Sequence, residues 1–354
     1  MPSLVRCTGR PLVAALCLLA LGTAPLAAQN FRLVFPDASQ RATISQTVGL
    51  TDVSIDYGRP GINGRIVWDS LVPYDSVWRA GANINTVLTV TSPFMVSGQA
   101  LPAGRYGLFM IPAKDKWTVI LSKEANAWGA FSYAKSEDAL RITATPRASE
   151  NVERLEYTMD DPTDKSVTVT LRWEKVAVGF TVSVDRDQVV LDSLKQQLRN
   201  LARFFPPAWA QASGWAMANT KNMALAENWA DSSINLAPSF LNLTMKANLL
   251  ERRGDKVEAD KIRTRAGAMA TSEVDVNAYG YQLLAAKKYD EAIAVLERNT
   301  RDHPTSANSW DSVGEAYGLK GDKAKARTNY QKALSLYTDP ANQQRVTGIL
   351  ANLK

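Results

Sequence analysis

Arginine, aromatic and amide side chains are concentrated in one stretch of the chain, from Tyr57 to Asn83. Guanidinium groups donate paired hydrogen bonds to carboxylates and phosphates, and aromatic faces attract cations and apolar ring faces. The stretch is longer than the ~15 residues at which loops without secondary structure become uncommon and are usually functional. We therefore predict a binding surface for an anionic or carbohydrate ligand, formed by Arg59, Arg65, Tyr74, Trp78, Arg79 and Asn83.

The same arginines also allow a structural interpretation. Asp56, Asp69 and Asp75 lie within or beside the stretch, and ion pairs with these carboxylates would pin a long loop to the rest of the domain. In the ligand interpretation, Arg59 and Arg79 each donate two hydrogen bonds to the ligand, and the Trp78 ring is a surface on which the ligand stacks. The sequence leaves both interpretations open.

The chain is poor in the side chains on which most metal sites and nucleophile–base pairs are built. It has one histidine, His303, and two cysteines, Cys7 and Cys17. We expect no metal and no cofactor, and we place His303, which precedes Pro304, at the end of a helix. Paired carboxylates could still support hydrolysis, so an enzyme is not excluded.

The first 28 residues have the composition of a secretory signal. Arg6 and Arg10 precede an apolar run at residues 12–21, and small residues follow as far as Ala28. We predict cleavage after Ala28, with Ala24 as a second candidate site, and export to the periplasm or the medium. The alternative, a retained membrane anchor, is disfavoured because the run is shorter than the ~20 residues of a membrane span. Cleavage would remove both cysteines, so the exported chain would have no thiol and no transmembrane segment.

The charge distribution does not favour nucleic acid as a partner. The formal net charge is +6, from 41 basic and 35 acidic residues, and the basic residues are dispersed among acids. Binding to a phosphate backbone requires a basic stripe on one face.

Two hydrophobic periods divide the chain. From residue 43 to residue 184 polar and apolar side chains alternate, which predicts an antiparallel β-sandwich or barrel-like domain over residues 29–184. After Trp173 the alternation changes phase, and we predict a β-bulge near Glu174-Lys175.

Helical periodicity follows the strands. Leucines recur at intervals of three and four residues in a predicted linker helix at residues 185–207, which we expect Pro206-Pro207 to end. Helical repeats are predicted over residues 208–354.

The helical region contains an internal repeat, because Gly280 and Ala292 recur as Gly314 and Ala326 with an offset of 34 residues. Small residues at Gly314 and Ala326 would let the two helices of a pair approach closely, whereas Tyr317 and Tyr330 would fill the gap to the next pair. The residues assigned to repeat packing are Gly280, Ala292, Trp310, Gly314, Tyr317, Ala326, Tyr330 and Ala333.

On these positions the region resembles the tetratricopeptide family, with one specific copy and two or three weaker ones. The resemblance implies stacked helix pairs whose concave surface takes a protein or peptide partner.

The preceding region, residues 42–184, resembles an exported bacterial family known as domain of unknown function 2911. The resemblance is carried by blocks that include Ser45-Gln46-Thr47-Val48-Gly49, Tyr57-Gly58-Arg59-Pro60, Val77-Trp78-Arg79-Ala80-Gly81-Ala82-Asn83, Trp128-Gly129-Ala130-Phe131 and Leu171-Arg172-Trp173-Glu174-Lys175. It implies no activity, because none is assigned to the family.

These observations lead us to expect an exported binding and scaffold protein. The repeats would mediate protein–protein interaction, and the β domain would bind a small polar or envelope ligand. The alternative is an envelope carbohydrate hydrolase or lyase, with carboxylates as catalysts and Arg59, Arg79 or Asn83 as substrate clamps. A third interpretation, an assembly module, would be favoured by large exposed apolar patches around Trp68 or Trp128.

Overall fold

The structure is a computed structural model that describes residues 35–353. Antiparallel sheets occupy the first part of this range and helices occupy the rest, which confirms the predicted fold class. The predicted signal sequence, residues 1–28, lies outside the described residues. None of the helices within 35–353 combines the length and the apolar character needed to cross a membrane.

The strands of the β domain form two sheets. In chain order they are β1 (Arg41–Val48), β2 (Thr51–Gly58), β3 (Thr86–Val90), β4 (Phe94–Val96), β5 (Gln99–Leu101), β6 (Gly104–Ile111), β7 (Trp117–Ser122), β8 (Asp138–Ala144), β9 (Arg147–Asp160) and β10 (Ser166–Ser183). The first sheet has the order β1-β2-β3-β6-β7-β8, and the second has the order β5-β4-β10-β9. Because the two sheets have edges and share one core, the domain is a sandwich and not a barrel.

The core between the sheets explains the alternation in the sequence. Val53 and Ile55 of β2 are fully buried, whereas the intervening Ser54 is partly exposed. Trp117 on β7 and Trp173 on β10 are the largest fully buried side chains and come from opposite sheets. Truncating a core tryptophan to alanine costs roughly 3–5 kcal/mol, so these two residues contribute strongly to the cohesion of the sandwich.

The predicted bulge is confirmed. β10 continues through Glu174, where the pairing register with β9 shifts on both sides and the backbone has φ 54°. The extra residue changes the phase of the strand, so side chains before and after the bulge reach the same core.

Helices follow directly after β10. They are α1 (Arg186–Gln197), α2 (Pro206–Asn219), α3 (Met223–Leu236), α4 (Phe240–Arg253), α5 (Lys256–Met269), α6 (Glu273–Ala285), α7 (Tyr289–Asp302), α8 (Ala307–Lys320), α9 (Lys323–Leu336) and α10 (Pro340–Asn352). His303 follows the last residue of α7, at a helix end as predicted.

The predicted end of the linker helix is wrong. The helix ends at Gln197, a short 3-10 turn follows at Leu201–Phe204, and Pro206 begins α2. Proline suits the first positions of a helix because the amide hydrogen that it lacks has no intrahelical acceptor there.

The repeat prediction is confirmed in its helix pairing and offset. The pairs are α2–α3, α4–α5, α6–α7 and α8–α9, and α10 packs against the last pair as a cap. α6 begins 34 residues before α8, at Glu273 and Ala307.

Close packing within the pairs depends on glycine. A Cβ atom on Gly280 would lie 2.5 Å from the Leu296 side chain, and one on Gly314 would lie 3.0 Å from the Tyr330 ring. Tyr330 thus fills space within its own pair, which differs from the prediction.

The other repeat residues are also placed in the packed layers. Tyr317 donates from its hydroxyl to Glu297 Oε1 of the preceding pair at 2.6 Å. The Trp310 indole nitrogen donates to the Pro304 carbonyl at 2.9 Å. Ala292, Ala326 and Ala333 are fully buried.

Candidate functional site

The long segment between β2 and β3 is irregular and is hydrogen-bonded to both sheets. Trp78 and Met110 of β6 exchange two backbone hydrogen bonds of 2.8 Å. At the other end of the segment, Ile62 donates to the Glu153 carbonyl at 2.9 Å, and Leu155 donates to the Pro60 carbonyl at 3.0 Å. The segment therefore spans the edge of the sandwich and is fixed on both sides.

The tip of this segment turns sharply through residues 80–83. Ala80 and Asn83 have left-handed backbone conformations, with φ 51° and 62°. A Cβ on Gly58 would lie 2.3 Å from the Ala82 carbonyl oxygen, so only glycine permits this close approach.

The carbonyl of Ala80 is the anchor of the turn. It accepts a hydrogen bond from the Tyr157 hydroxyl at 2.9 Å and one from Thr86 Oγ1 at 3.0 Å. Burial raises the pKa of Tyr157 well above its ordinary value, so this hydroxyl remains a donor at physiological pH. The anchor fixes the backbone next to Arg79.

An open cavity of about 280 Å³ lies beneath this turn. Its walls include four of the predicted ligand residues, Arg65, Trp78, Arg79 and Asn83, together with Trp173 of β10. Ser39, Pro60, Leu71, Val72, Gly81 and Ala82 complete the lining.

Arg79 is the distinctive group in this cavity. Its guanidinium makes no hydrogen bond or ion pair to any residue that the structure describes, and its Nε is buried. Burial lowers the pKa of Arg79 from its ordinary value, because a desolvated cation is less stable than a hydrated one. The Trp173 indole Nε1 is a second buried donor that has no partner within residues 35–353.

The remaining predicted residues contribute less to the cavity. Arg59 donates from Nε to the Leu155 carbonyl at 3.0 Å and pairs with Glu156 at 3.5 Å, so it fastens the segment to β9. Tyr74 is absent from the cavity lining.

Three of the predicted cavity residues are partly occupied with internal contacts, and one of them, Asn83, donates from Nδ2 to the Ser39 carbonyl at 3.2 Å. Arg65 lines the cavity but donates to the carbonyls of Gly61 and Ile62, at 2.6 and 2.9 Å. The Trp78 ring stacks on Trp173 at 6.0 Å between centroids, so this ring face is covered and does not form the open stacking surface that the sequence predicts.

The arginines do not pair with the aspartates named in the structural interpretation. Asp56 pairs with Arg41, which lies before the segment. The segment is instead tied down by Glu156 and by backbone carbonyls.

Sequence reasoning missed Trp173 as part of the site. The alternation in β10 assigns this residue to the core, and it does lie there, but its neighbours come from a segment that precedes it by about a hundred residues. No local signal could have paired the two.

Among the residues that the structure describes, those lining the cavity include no carboxylate, imidazole or thiol. More widely, residues 35–353 contain no group of three or more histidine, cysteine, aspartate or glutamate side chains placed to hold a metal ion.

The helical repeats present a second set of unpartnered groups. Thr244 Oγ1, Asn277 Oδ1 and Asp311 Oδ1 are buried and have no hydrogen-bond partner among the described residues. The three residues occupy equivalent positions on α4, α6 and α8, the first helices of consecutive pairs. Two of these helices, α6 and α8, are joined directly, because the Tyr281 hydroxyl donates to Glu315 Oε2 at 2.6 Å.

Comparison with protein families identifies the β domain. Residues 39–182 match the family model described as "Protein of unknown function (DUF2911)", which confirms the resemblance. The match covers the sandwich and not the helices. No curated protein matches the chain.

Several solved structures are similar to the helical region. YrrB, described as a TPR protein with an unusual peptide-binding site, is 16% identical to this chain. The match covers 46% of this chain and 84% of YrrB, with a TM-score of 0.34. MamA from Desulfovibrio magneticus RS-1 is 18% identical over 42% and 84% of the two chains, with a TM-score of 0.32. PilF of Pseudomonas aeruginosa is 22% identical over 42% and 67%, with a TM-score of 0.34. At these values the similarity assigns no function.

Proposed function

We propose that this chain, whose β domain belongs to the DUF2911 family, is an exported binding and scaffold protein. Its β domain would bind a small anionic ligand in the cavity at Arg79, and its helical repeats would bind a protein or peptide partner. The single observation that carries the proposal is the guanidinium of Arg79, half-buried in a cavity and without a partner among residues 35–353.

A buried cation without a counter-ion is unfavourable, and native proteins usually pair such groups. A carboxylate or phosphate in the cavity would supply the missing acceptor through charge-assisted hydrogen bonds. Arg65 adds a second positive charge to the same lining, and no carboxylate there competes for either arginine.

The partner proposal for the repeats rests on the oxygens of Thr244, Asn277 and Asp311. Buried polar atoms normally have hydrogen-bond partners, so unpartnered oxygens at one repeat position indicate missing donors. The proposal is that a bound partner supplies these donors once the side chains that cover the oxygens shift aside. The backbone amides of a peptide are donors of this kind.

The carboxylate-dependent hydrolase or lyase has no support at this cavity. General acid–base catalysis needs a titratable group within hydrogen-bond reach of the substrate. The side chains that line the cavity supply cations, an amide, a hydroxyl and indoles.

Titration with acetate and with inorganic phosphate tests the ligand site. Chemical shifts of the tryptophan indole N–H groups are the readout, because Trp173 lines the cavity. We expect saturable shifts in the wild type, their loss in Arg79→Met, and their retention in Arg59→Met, which removes an arginine of the same segment from outside the cavity. Equal binding by wild type and Arg79→Met would overturn the assignment.

Partner binding is tested by affinity capture from the envelope fraction with the full chain. Thr244→Val/Asn277→Leu should reduce recovery of the captured protein. Thr264→Val/Thr328→Val should not, because these threonines are exposed on the second helices α5 and α9 and bond to their own helices. Equal recovery with both double variants would contradict the proposed surface.

Export is also part of the proposal, and it is supported by the composition of residues 1–28. N-terminal sequencing of the protein from the periplasmic fraction and the medium should give a chain that begins at Gln29. An intact Met1 in the cytoplasmic fraction alone would refute export.

A further inference from the structure

Two aromatic side chains stand exposed on a turn beside the cavity. Trp128 is 65% exposed and Phe131 is 85% exposed. Their rings stack with an interplanar angle of 12° and a centroid separation of 5.7 Å. Such rings are usually among the more buried in a protein, and an exposed pair marks an interaction site.

The turn is attached to the segment that carries Arg79. The backbone N–H of Asn85 donates to the Ala127 carbonyl at 3.0 Å, and the backbone N–H of Gly129 donates to the Asn83 carbonyl at 3.2 Å. Between them, Ile84 and Trp128 form an antiparallel β-bridge. The aromatic turn and the cavity wall therefore form one local structure.

The guanidinium of Arg79 reaches this turn. A Cβ atom on Gly129, which has φ 75°, would lie 3.8 Å from Arg79 Nη1 and 2.8 Å from the Phe131 ring. Glycine at this position thus lies between the guanidinium and the Phe131 ring, and a side chain there would fill the space beside both.

A cation and an exposed aromatic pair on the two sides of Gly129 fit a ligand that has both an anionic group and a ring. Sugars offer apolar C–H faces to aromatic side chains, whereas their hydroxyls suit a polar lining such as Ser39 and Asn83. We propose that the ligand of the cavity is an acidic sugar, whose carboxylate or phosphate binds Arg79 while the face of its ring lies on the outward, solvent-exposed side of the stacked Trp128–Phe131 pair. This inference rests on the proposed anion site, and it adds the class of ligand.

Three classes of probe separate the contributions of the anionic group and of the sugar ring to the binding affinity. Acetate has the charge without the ring, and glucose has the ring without the charge. Glucuronate and glucose 6-phosphate have both. The wild type should bind at least one acidic sugar about tenfold more tightly than acetate or glucose, a difference of about 1.4 kcal/mol, because only the acidic sugar makes the charge contact and the ring contact together. The comparison between glucuronate and glucose 6-phosphate distinguishes a carboxylate from a phosphate ligand.

Variants assign the two halves of the site. Trp128→Ala/Phe131→Ala should reduce acidic-sugar affinity to that of acetate while leaving acetate binding intact, and Arg79→Met should abolish both. Phe204→Ala is the matched control, because Phe204 is 62% exposed and lies outside the β domain.

The outcomes separate the two proposals. If the wild type binds acetate but neither acidic sugar more tightly, or if the aromatic double variant binds the acidic sugar unchanged, the sugar inference fails and the anion site stands. If the wild type binds none of the anions, both fail. Loss of a protein partner in the aromatic double variant, with sugar affinity unchanged, would identify the pair as a protein contact and overturn the inference.

Discussion

The hydroxyl of Tyr157, on β9, donates a 2.9 Å hydrogen bond to the carbonyl oxygen of Ala80, the residue after Arg79. The bond joins a strand of the second sheet to the irregular segment that leads into the first sheet. Since Ala80 has a left-handed backbone, this contact helps to hold a turn that most residues adopt at a cost. The position of Arg79 in the cavity therefore depends on a side chain far away in sequence.

Tyr157→Phe should destabilise the β domain and weaken anion binding. The loss of one buried hydrogen bond costs about 1 kcal/mol, and the Ala80 carbonyl keeps its bond from Thr86. Urea unfolding measures the stability change, and acetate titration measures the binding. Tyr106→Phe removes a similar 2.7 Å bond to the Pro102 carbonyl elsewhere in the domain. Tyr106→Phe should lower stability by a similar amount without weakening acetate binding. An equal loss of acetate binding in both variants would argue against a specific role of Tyr157.

Arg79→Met should make the protein without ligand more heat-resistant. The substitution removes a desolvated and unpartnered charge but keeps an apolar stem of similar length, so a rise in Tm of about 2 °C is expected. Arg59→Met should lower Tm, because Arg59 bonds to the Leu155 carbonyl and to Glu156. Calorimetry of both variants provides the check, and the reverse order of Tm values would contradict the unpaired state of Arg79.

Gly280→Ala should destabilise the helical repeats by about 1–3 kcal/mol, the usual cost of overpacking. The added methyl would lie 2.5 Å from the Leu296 side chain, and α6 and α7 would have to separate. Gly348→Ala, in α10, is the matched control: apart from the adjoining backbone of its own helix, no atom of the described residues lies within 4 Å of its Cβ position. In that variant the higher helix propensity of alanine should stabilise the chain by about 0.5–1 kcal/mol. Chemical denaturation followed by circular dichroism should show opposite signs for the two variants.

Acid should weaken the contact between α3 and α4. Glu227 accepts from Lys246 at 2.7 Å and pairs with Arg253 at 2.9 Å. The hydrogen bond from Lys246 holds the pKa of Glu227 below its ordinary value of 4.5. A carboxylate with a lowered pKa in the folded state contributes stability above its unfolded value, and this contribution is lost as the pH falls through the folded value.

The pH dependence of unfolding in Glu227→Gln tests this contact. The variant should be less stable than the wild type at pH 7, and the difference should shrink below about pH 4.5, where the wild type loses the same contribution. Glu258→Gln, which removes an exposed pair with Lys261, should change stability by less than about 0.5 kcal/mol at either pH. A difference that persists unchanged at pH 3 would show that Glu227 acts through packing and not through charge.

Much of the fold was predictable because its signals are local. Alternation in strands such as β2 and recurrence of small residues at Gly280 and Gly314 reflect which faces are buried, and burial repeats with the period of the element. The bulge at Glu174 was visible as a change of phase. The end of the linker helix was misplaced because proline both ends and begins helices, and local sequence does not distinguish the two.

The candidate site was only partly predictable. Composition located four lining residues in one segment, Arg65, Trp78, Arg79 and Asn83. It could not distinguish Arg79, which has no partner within residues 35–353, from Arg59, which is bonded to β9. It also assigned an open ring face to Trp78, which Trp173 covers.

The sequence by itself therefore determined the two domains, the bulge and the repeat, because each depends on periodic burial along a single element. Tertiary structure alone decided which arginine stays free, which indole closes the cavity and that the Trp128–Phe131 turn lies beside Arg79. Those contacts join segments tens of residues apart, and their partners are chosen by packing between sheets, for which the chain carries no local record.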